Sequence, residues 1–340
     1  MPVTDPLGAT LRGPAAFGVA RSMRLVLLAC LPGALTLLWL FGWGVLLQLS
    51  IATASALACE ALVRRLRHQP PPRAEEALFG IAPLAEGGAL VTAVLLGLAL
   101  PASAPWWLTA SASAFAILLG KSLWGGFGHN PLNPAMLGYA FALVAFPAPM
   151  SQWPQPGDWN GLSLLQVFGA TPADGWSGAT LLDTLKHNDR LTQAELFATH
   201  PAFGGIGGRG AEVPNLAFLL GGLLLVQRRV IAWRVPAGVL GALFVSALLC
   251  WNGTGSDSNG SPLLHLFSGA SMLGAFFIAT EPVSGARSPR GQWAFGIGVG
   301  LLTYALRTWG NSPDGMAFAV LAMNLAVPML DRLPGRSTPP

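Results

Sequence analysis

Charge is scarce in this chain. Asp, Glu, Lys and Arg make up 10% of its 340 residues while 52% are hydrophobic, whereas soluble domains carry roughly 25% charged residues, so an ordinary water-soluble domain is excluded. Cysteine is scarcer still. Cys30, Cys59 and Cys250 lie singly in apolar blocks, without the paired spacing of zinc or iron–sulfur sites, and are expected to be buried, inert thiols. Soluble-enzyme motifs are missing too: there is no Gly-x-x-x-x-Gly-Lys-Ser phosphate loop, no His-Glu-x-x-His, and no Ser/His/Asp set at one membrane face. Hydrolysis is left without machinery. The net charge is only +4 despite a pI near 9.4, and the basic residues are dispersed, so no nucleic-acid partner is expected.

What is present is a series of apolar blocks, separated by short stretches that hold nearly all the Lys and Arg, the pattern of repeated spanning helices. The expected spans are 25–43, 44–63, 88–103, 105–123, 135–150, 214–227, 235–251, 262–280, 292–307 and 315–330. The block from Leu25 runs past Gly44 without a small-residue cleavage site and reads as a first spanning helix, not a signal peptide. With the N-terminus inside, only Lys186, Arg190, Arg209 and Arg307 of the 19 basic residues fall on the outer side, as the positive-inside rule requires. Trp106, Trp107 and Trp153 stand at expected outer edges, where interfacial aromatics belong.

The expected organisation is a cytoplasmic segment 1–24, a first five-helix membrane half 25–150, a periplasmic loop 151–213, a second five-helix half 214–330 and a cytoplasmic tail 331–340. The fold class is all-α. Five helices per half send the halves into the bilayer from opposite sides, an inverted repeat. The Trp124-Gly-Gly-Phe-Gly-His-Asn-Pro and Trp309-Gly-Asn-Ser-Pro-Asp-Gly segments, which open helices five and ten, echo each other. The basic, Pro-rich 64–86 connection reads as a topology anchor and a contact for neighbouring subunits.

Within the long loop lies Asp174-Gly-Trp-Ser-Gly-Ala-Thr180. By composition it is a glycine turn leading into a helix with an N-cap Ser or Thr. Gly204-Gly-Ile-Gly-Gly-Arg-Gly210 looks like a dinucleotide loop, but no strand precedes it and no βαβ unit follows, which favours a turn. His265, near the outer end of helix eight, reads as a packed interfacial residue.

The Asp174–Thr180 segment resembles the flavinylation sequence of the RnfD and NqrB family, Asp-x-x-Ser/Thr-Gly-Ala-Thr. Four further segments are similar to family signatures and occur in family order: 31–44 (Leu-Pro-Gly-Ala-Leu-Thr-Leu-Leu-Trp-Leu-Phe-Gly-Trp-Gly), Gly125-Gly-Phe-Gly-His-Asn-Pro-Leu-Asn-Pro-Ala135, Phe276-Phe-Ile-Ala-Thr-Glu-Pro-Val-Ser284 and Pro313-Asp-Gly-Met-Ala-Phe318. The chain departs from the pattern at His129, usually Gln, and at Glu281, where Asp is commoner.

This resemblance implies FMN joined to Thr180 by a phosphoester, with Asp174, Ser177, Gly178 and Ala179 as recognition positions for a flavin transferase. It also implies a second, non-covalent riboflavin among the helices. Asn130, Asn133, Thr280 and Glu281 are candidates for that flavin or for an ion path, since polar groups at membrane depth are costly unless used; satisfied interhelical hydrogen bonds are the alternative. The implied function is a stage of electron transfer between ferredoxin and NAD, coupled to sodium or proton movement across a bacterial inner membrane. The implied partners are the other proteins of an Rnf complex: the membrane proteins RnfA and RnfE, the flavoprotein RnfG, the iron–sulfur protein RnfB and the NADH-binding protein RnfC, besides membrane lipid. No resident metal is expected, and the chain alone would have no complete catalytic cycle. Two rivals remain: NqrB of a sodium-pumping NADH:quinone reductase, which typically has a longer N-terminus, and a solute channel or transporter in which the Asp174–Thr180 sequence is idle.

Overall fold

The computed structural model describes residues 14–69, 87–126, 128–157, 167–169, 177–178, 180–188, 191–200, 202–256, 258–310 and 314–333. They are mostly helical. Helices α1 (Pro14–Phe41) and α2 (Trp43–Leu66) are separated only by Gly42, whose φ of 69° gives the sharp reversal that a residue with a Cβ resists. Gly18–Phe41 and Trp43–Leu66, 24 residues each, are long and apolar enough to cross a membrane, since 24 residues rise about 36 Å against a hydrocarbon core of about 30 Å. Leu28, Leu31, Leu35 and Trp39 on α1 are exposed, as side chains facing lipid are.

The remaining apolar blocks form shorter helices. These are α3 (Gly88–Ala99), α4 (Trp106–Phe115, passing into a π-helical stretch Ala116–Ser122), α5 (Pro134–Ala145) and α6 (Pro147–Ser151) before the long connection. After it come α9 (Glu212–Gln227), α10 (Arg234–Leu249), α11 (Pro262–Leu266), α12 (Ser271–Leu273, passing into π-helical Gly274–Ile278), α13 (Pro289–Thr308) and α14 (Met316–Leu330). Prolines set several ends. Leu100 before Pro101 and Phe146 before Pro147 leave the helical region, because the proline ring crowds the preceding backbone.

The expected helix 262–280 is not continuous: it breaks at 267–270, where Gly269 takes φ 58°. Hydropathy averages over such a break. The backbone groups freed there are taken up by side chains, with Asn215 donating to Gly269 O (2.9 Å) and accepting from Met272 N (2.9 Å), the condition for irregular backbone in a membrane fold.

Packing pairs repeat between the two stretches of chain. α2 lies on α3 and α4 as α10 lies on α11 and α13; α4 meets α5 as α13 meets α14; and the corresponding helices α1 and α9, and α5 and α14, touch each other. Small residues bring the backbones close: a Cβ at Gly296 on α13 would stand 2.5 Å from Val235 O on α10, the close approach that glycine permits in membrane bundles. Buried amides are satisfied across helices, as where Gln48 donates to Ala104 O (2.6 Å) and accepts from Thr109.

In the connection between α6 and α9, two short strands, β1 (Trp153–Pro154) and β2 (Ser177–Gly178), pair antiparallel with Trp153 opposite Gly178. Two helices follow, α7 (Leu181–Lys186) and α8 (Gln193–Thr199).

Candidate functional site

Thr180 stands two positions after Gly178 of β2 and immediately before α7. Its backbone is extended (φ −68°, ψ 160°) and its Oγ1 accepts from Asp183 N at 3.3 Å, an N-cap. The N-cap threonine and the helix expected after the glycine turn are realised here, while most of the turn, 174–176, lies outside the described residues; Thr180 is half-buried. Leu181 and Leu182 anchor α7 in a small apolar cluster with Leu196, Phe203 and Leu264. Lys186 Nζ reaches Leu306 O at 3.4 Å, and partial burial lowers its ammonium pKa from the ordinary value, with Asp183 opposing the shift. Of the expected recognition positions, Ser177 and Gly178 form β2, whereas Asp174 and Ala179 lie outside the described residues.

Thr180 borders a cavity of about 420 Å³. Its walls are mainly apolar, with Phe41, Met136, Leu143, Phe218 and Leu273 among them, and its polar residues include Tyr139, Asp183, His200, Arg209, Asn215 and Asp314. That size, and that mixture of apolar wall with a few placed polar groups, suit a drug-sized ligand, for which pockets run from about 300 to 1,000 Å³. A flavin tethered at the Thr180 hydroxyl fits these residues. Arg209, exposed on the rim, supplies a cation.

The glycine-rich loop 204–210 contributes Gly208, Arg209 and Gly210 to the same cavity. Its amides are largely engaged within the protein. Glu212 Oε1 accepts from Ile206 N (2.7 Å) and Gly207 N (2.6 Å), and Ser268 Oγ accepts from Gly208 N (3.2 Å). The loop is thus a turn held by a carboxylate, as the missing βαβ context implied.

Asp314 on the cavity wall belongs to a buried network that hydropathy reading passes over. Arg307, near the end of α13, donates through Nε (3.2 Å) and one terminal nitrogen (3.0 Å) to Asp314 Oδ1. The signal for it was a cation and an anion seven positions apart in the sequence before α14. His265 lies beside it, its Nε2 2.8 Å from Asn259 O and its ring 5.1 Å from that of Tyr304, and is the packed residue expected.

A second cavity, of about 90 Å³, brings Asn130, Asn133, Thr280 and Glu281 together with Lys121. Glu281 accepts from Asn130 Nδ2 (3.0 Å) and Ser284 Oγ (2.5 Å), Asn133 Nδ2 donates to Ile278 O (3.1 Å) and Thr280 Oγ1 to Phe276 O (2.6 Å). Lys121 is 4% exposed and pairs with Glu60 of α2 at 2.7 Å, while Arg64 stands 3.5 Å from the same carboxylate oxygen. Space for only a few waters, each about 30 Å³ of liquid, suits hydration or a small ion better than a tricyclic flavin. No group of three or more His, Cys, Asp or Glu poised for a metal occurs among the described residues.

Residues 15–337 match the profile of the NQR2, RnfD, RnfE family, and the chain belongs to that family. It is 59% identical over 312 residues to the D subunit of the ion-translocating oxidoreductase complex of Pseudomonas aeruginosa strain LESB58, covering 91% of this chain and 88% of the relative. Proteins of the same name from Cellvibrio japonicus (45% over 335 residues, 94% and 92% covered) and Aeromonas hydrophila (45% over 333 residues, 92% and 91% covered) are similar along nearly their whole length.

Proposed function

We propose that this member of the NQR2, RnfD, RnfE family is the flavin-carrying membrane subunit of an Rnf-type ion-translocating oxidoreductase complex, with FMN esterified to the Thr180 hydroxyl. The observation that carries the reading is the cavity of about 420 Å³ bordered by Thr180, the last residue of a segment that matches the flavinylation sequence at every defined position. Full-length similarity to proteins named as the D subunit of such a complex supports the Rnf assignment over NqrB of a quinone reductase.

Bound there, the flavin accepts and donates electrons; the chain supplies position and surroundings. Thr180 Oγ1 is the attachment atom. The β1–β2 pairing and the burial of Leu181 and Leu182 hold that atom at the cavity, so electron transfer needs no binding step. The apolar walls exclude water, and Arg209 balances the single negative charge that a phosphodiester retains.

The pairing of α1 with α9 and of α5 with α14 supports two inverted five-helix halves. In that topology both termini lie in the cytoplasm and Thr180 faces the periplasm of the inner membrane, so electrons from ferredoxin or NADH cross the bilayer before reaching it. The small cavity of Asn130, Asn133, Thr280 and Glu281 serves the coupling ion, sodium or proton. The chain works within the complex, with the membrane proteins RnfA and RnfE, the flavoprotein RnfG, the iron–sulfur protein RnfB and the NADH-binding protein RnfC, and is matured by a flavin transferase. A riboflavin in addition to FMN belongs elsewhere than in the small cavity.

The test is in-gel flavin fluorescence of the denatured chain after co-expression with a flavin transferase. The chain should fluoresce and its Thr180→Ala variant should not; equal fluorescence from the variant would move the attachment elsewhere.

A further inference from the structure

Arg307 is 3% exposed and spends its guanidinium on three segments at once. It donates to Asp314 Oδ1 through Nε (3.2 Å) and Nη2 (3.0 Å), to His265 O through Nη1 (2.8 Å), and through Nη2 also to Ser271 Oγ (3.0 Å) and Ser268 O (3.4 Å). Asp314 in turn accepts from Ala270 N at Oδ2 (2.7 Å) and from Met316 N at Oδ1 (3.3 Å). The pair therefore ties the end of α13, the break between α11 and α12, and the start of α14. Ser268, Gly269, Ala270, Asp314 and Met316 all line the Thr180 cavity, whereas Arg307 does not. Asp314 borders the cavity and Arg307 lies one layer behind it.

Neither attachment of a flavin nor a coupling ion calls for this pair. Arg307 is buried and Asp314 half-buried; an ion pair withdrawn from water is a weak source of stability, because well-packed apolar side chains of the same volume commonly do as well or better, and charged groups within a membrane fold mark a use. A cavity wall of mainly apolar side chains leaves their charges poorly screened.

We propose that Arg307 and Asp314 are positioning residues for the Thr180 flavin, fixing the wall at 267–271 and setting the electrostatic potential of the cavity. The inference rests on the reading that Thr180 carries FMN. Reduction adds negative charge to the flavin region, so the Asp314 carboxylate opposes it and the Arg307 guanidinium favours it. The two charges act with opposite sign. Removing the carboxylate leaves the guanidinium uncompensated and moves the equilibrium toward the reduced flavin; removing the guanidinium moves it toward the oxidised form.

The experiment is a reductive titration with dithionite and mediators of the purified, flavinylated chain and of Asp314→Asn, Arg307→Gln and Arg307→Lys, with in-gel fluorescence read on each sample. Asp314→Asn is expected to shift the equilibrium about tenfold or more toward reduced flavin, about 30 mV for two electrons. Arg307→Gln should shift it the other way, and Arg307→Lys should stay near the parent. Shifts of one sign in both charge-removing variants, or none, would overturn the proposal, because a loosened wall admits water in either case. If Arg307→Gln fails to accumulate, the direction given by Asp314→Asn decides; if Asp314→Asn fails to accumulate, the pair is a folding element and the proposal is overturned. A parent chain without fluorescence overturns the flavin reading itself, a result distinct from an unshifted titration.

Discussion

Thr180 Oγ1 accepts the Asp183 amide at 3.3 Å, so the hydroxyl assigned to the flavin ester also caps α7. Substitution by Ala removes both roles, and replacing an N-cap threonine costs about 1 kcal/mol. Thr180→Ala should therefore lose covalent flavin yet accumulate in membranes with a nearly unchanged melting temperature. Collapse of the protein in this variant would show that Thr180 is chiefly structural.

Glu212 holds the glycine-rich loop through the amides of Ile206 and Gly207. Leaving such amides without an acceptor costs about 1–3 kcal/mol each where they are buried. Glu212→Ala should make the 204–210 segment markedly more sensitive to limited proteolysis while α9 stays protected. An unchanged cleavage pattern would mean that the carboxylate does not restrain the loop.

Glu60 and Lys121 form a buried pair. Deleting one partner of such a pair costs about 3–5 kcal/mol, while replacing both is often close to neutral. Lys121→Met should lower the melting temperature in detergent clearly, and the double variant Glu60→Gln, Lys121→Met should recover most of the loss. Additive losses in the double variant would remove the pairwise account.

The start of α8 carries a pH-dependent element. Thr192 and Glu195 form a capping box, and hydrogen bonds from the Thr192 backbone, then its side chain, hold the Glu195 carboxyl below its ordinary value. A depressed carboxylate contributes stability that is complete above the unfolded value, about 4.3, and lost as pH falls through the folded one. Protection of the α8 amides, relative to their intrinsic exchange rates, should fall on acidification below about pH 4.3, and Glu195→Gln should flatten that dependence. Equal pH dependence in both proteins would rule the box out as its source.

The positions of the apolar helices were legible because membrane burial writes itself into long unbroken hydropathy. The N-cap at Thr180 was legible because a small hydroxyl residue directly before an apolar helical turn is a local pattern. Ser268 and Gly269 hid the break in the expected helix 262–280, since two small residues barely lower an average taken over a whole span. Arg307 was read as one of the few charges on the outer side and Lys121 lay near the end of the expected span 105–123, yet the structure buries both; their partners Asp314 and Glu60 lie 7 and 61 positions away, and contacts of that kind leave no periodic trace. The cavity itself is assembled from α1, α3, α5, α6, α9, α12 and α14 with the connection, which no local pattern encodes.

Peptide mass spectrometry of the chain purified after co-expression with an active flavin transferase tests the central claim most directly. The expected result is an adduct of FMN mass on the peptide containing Thr180, localised to that residue by fragmentation. An unmodified Thr180 peptide, with the transferase active on a control protein, would contradict a flavin-carrying role and return the solute-transporter reading to the front.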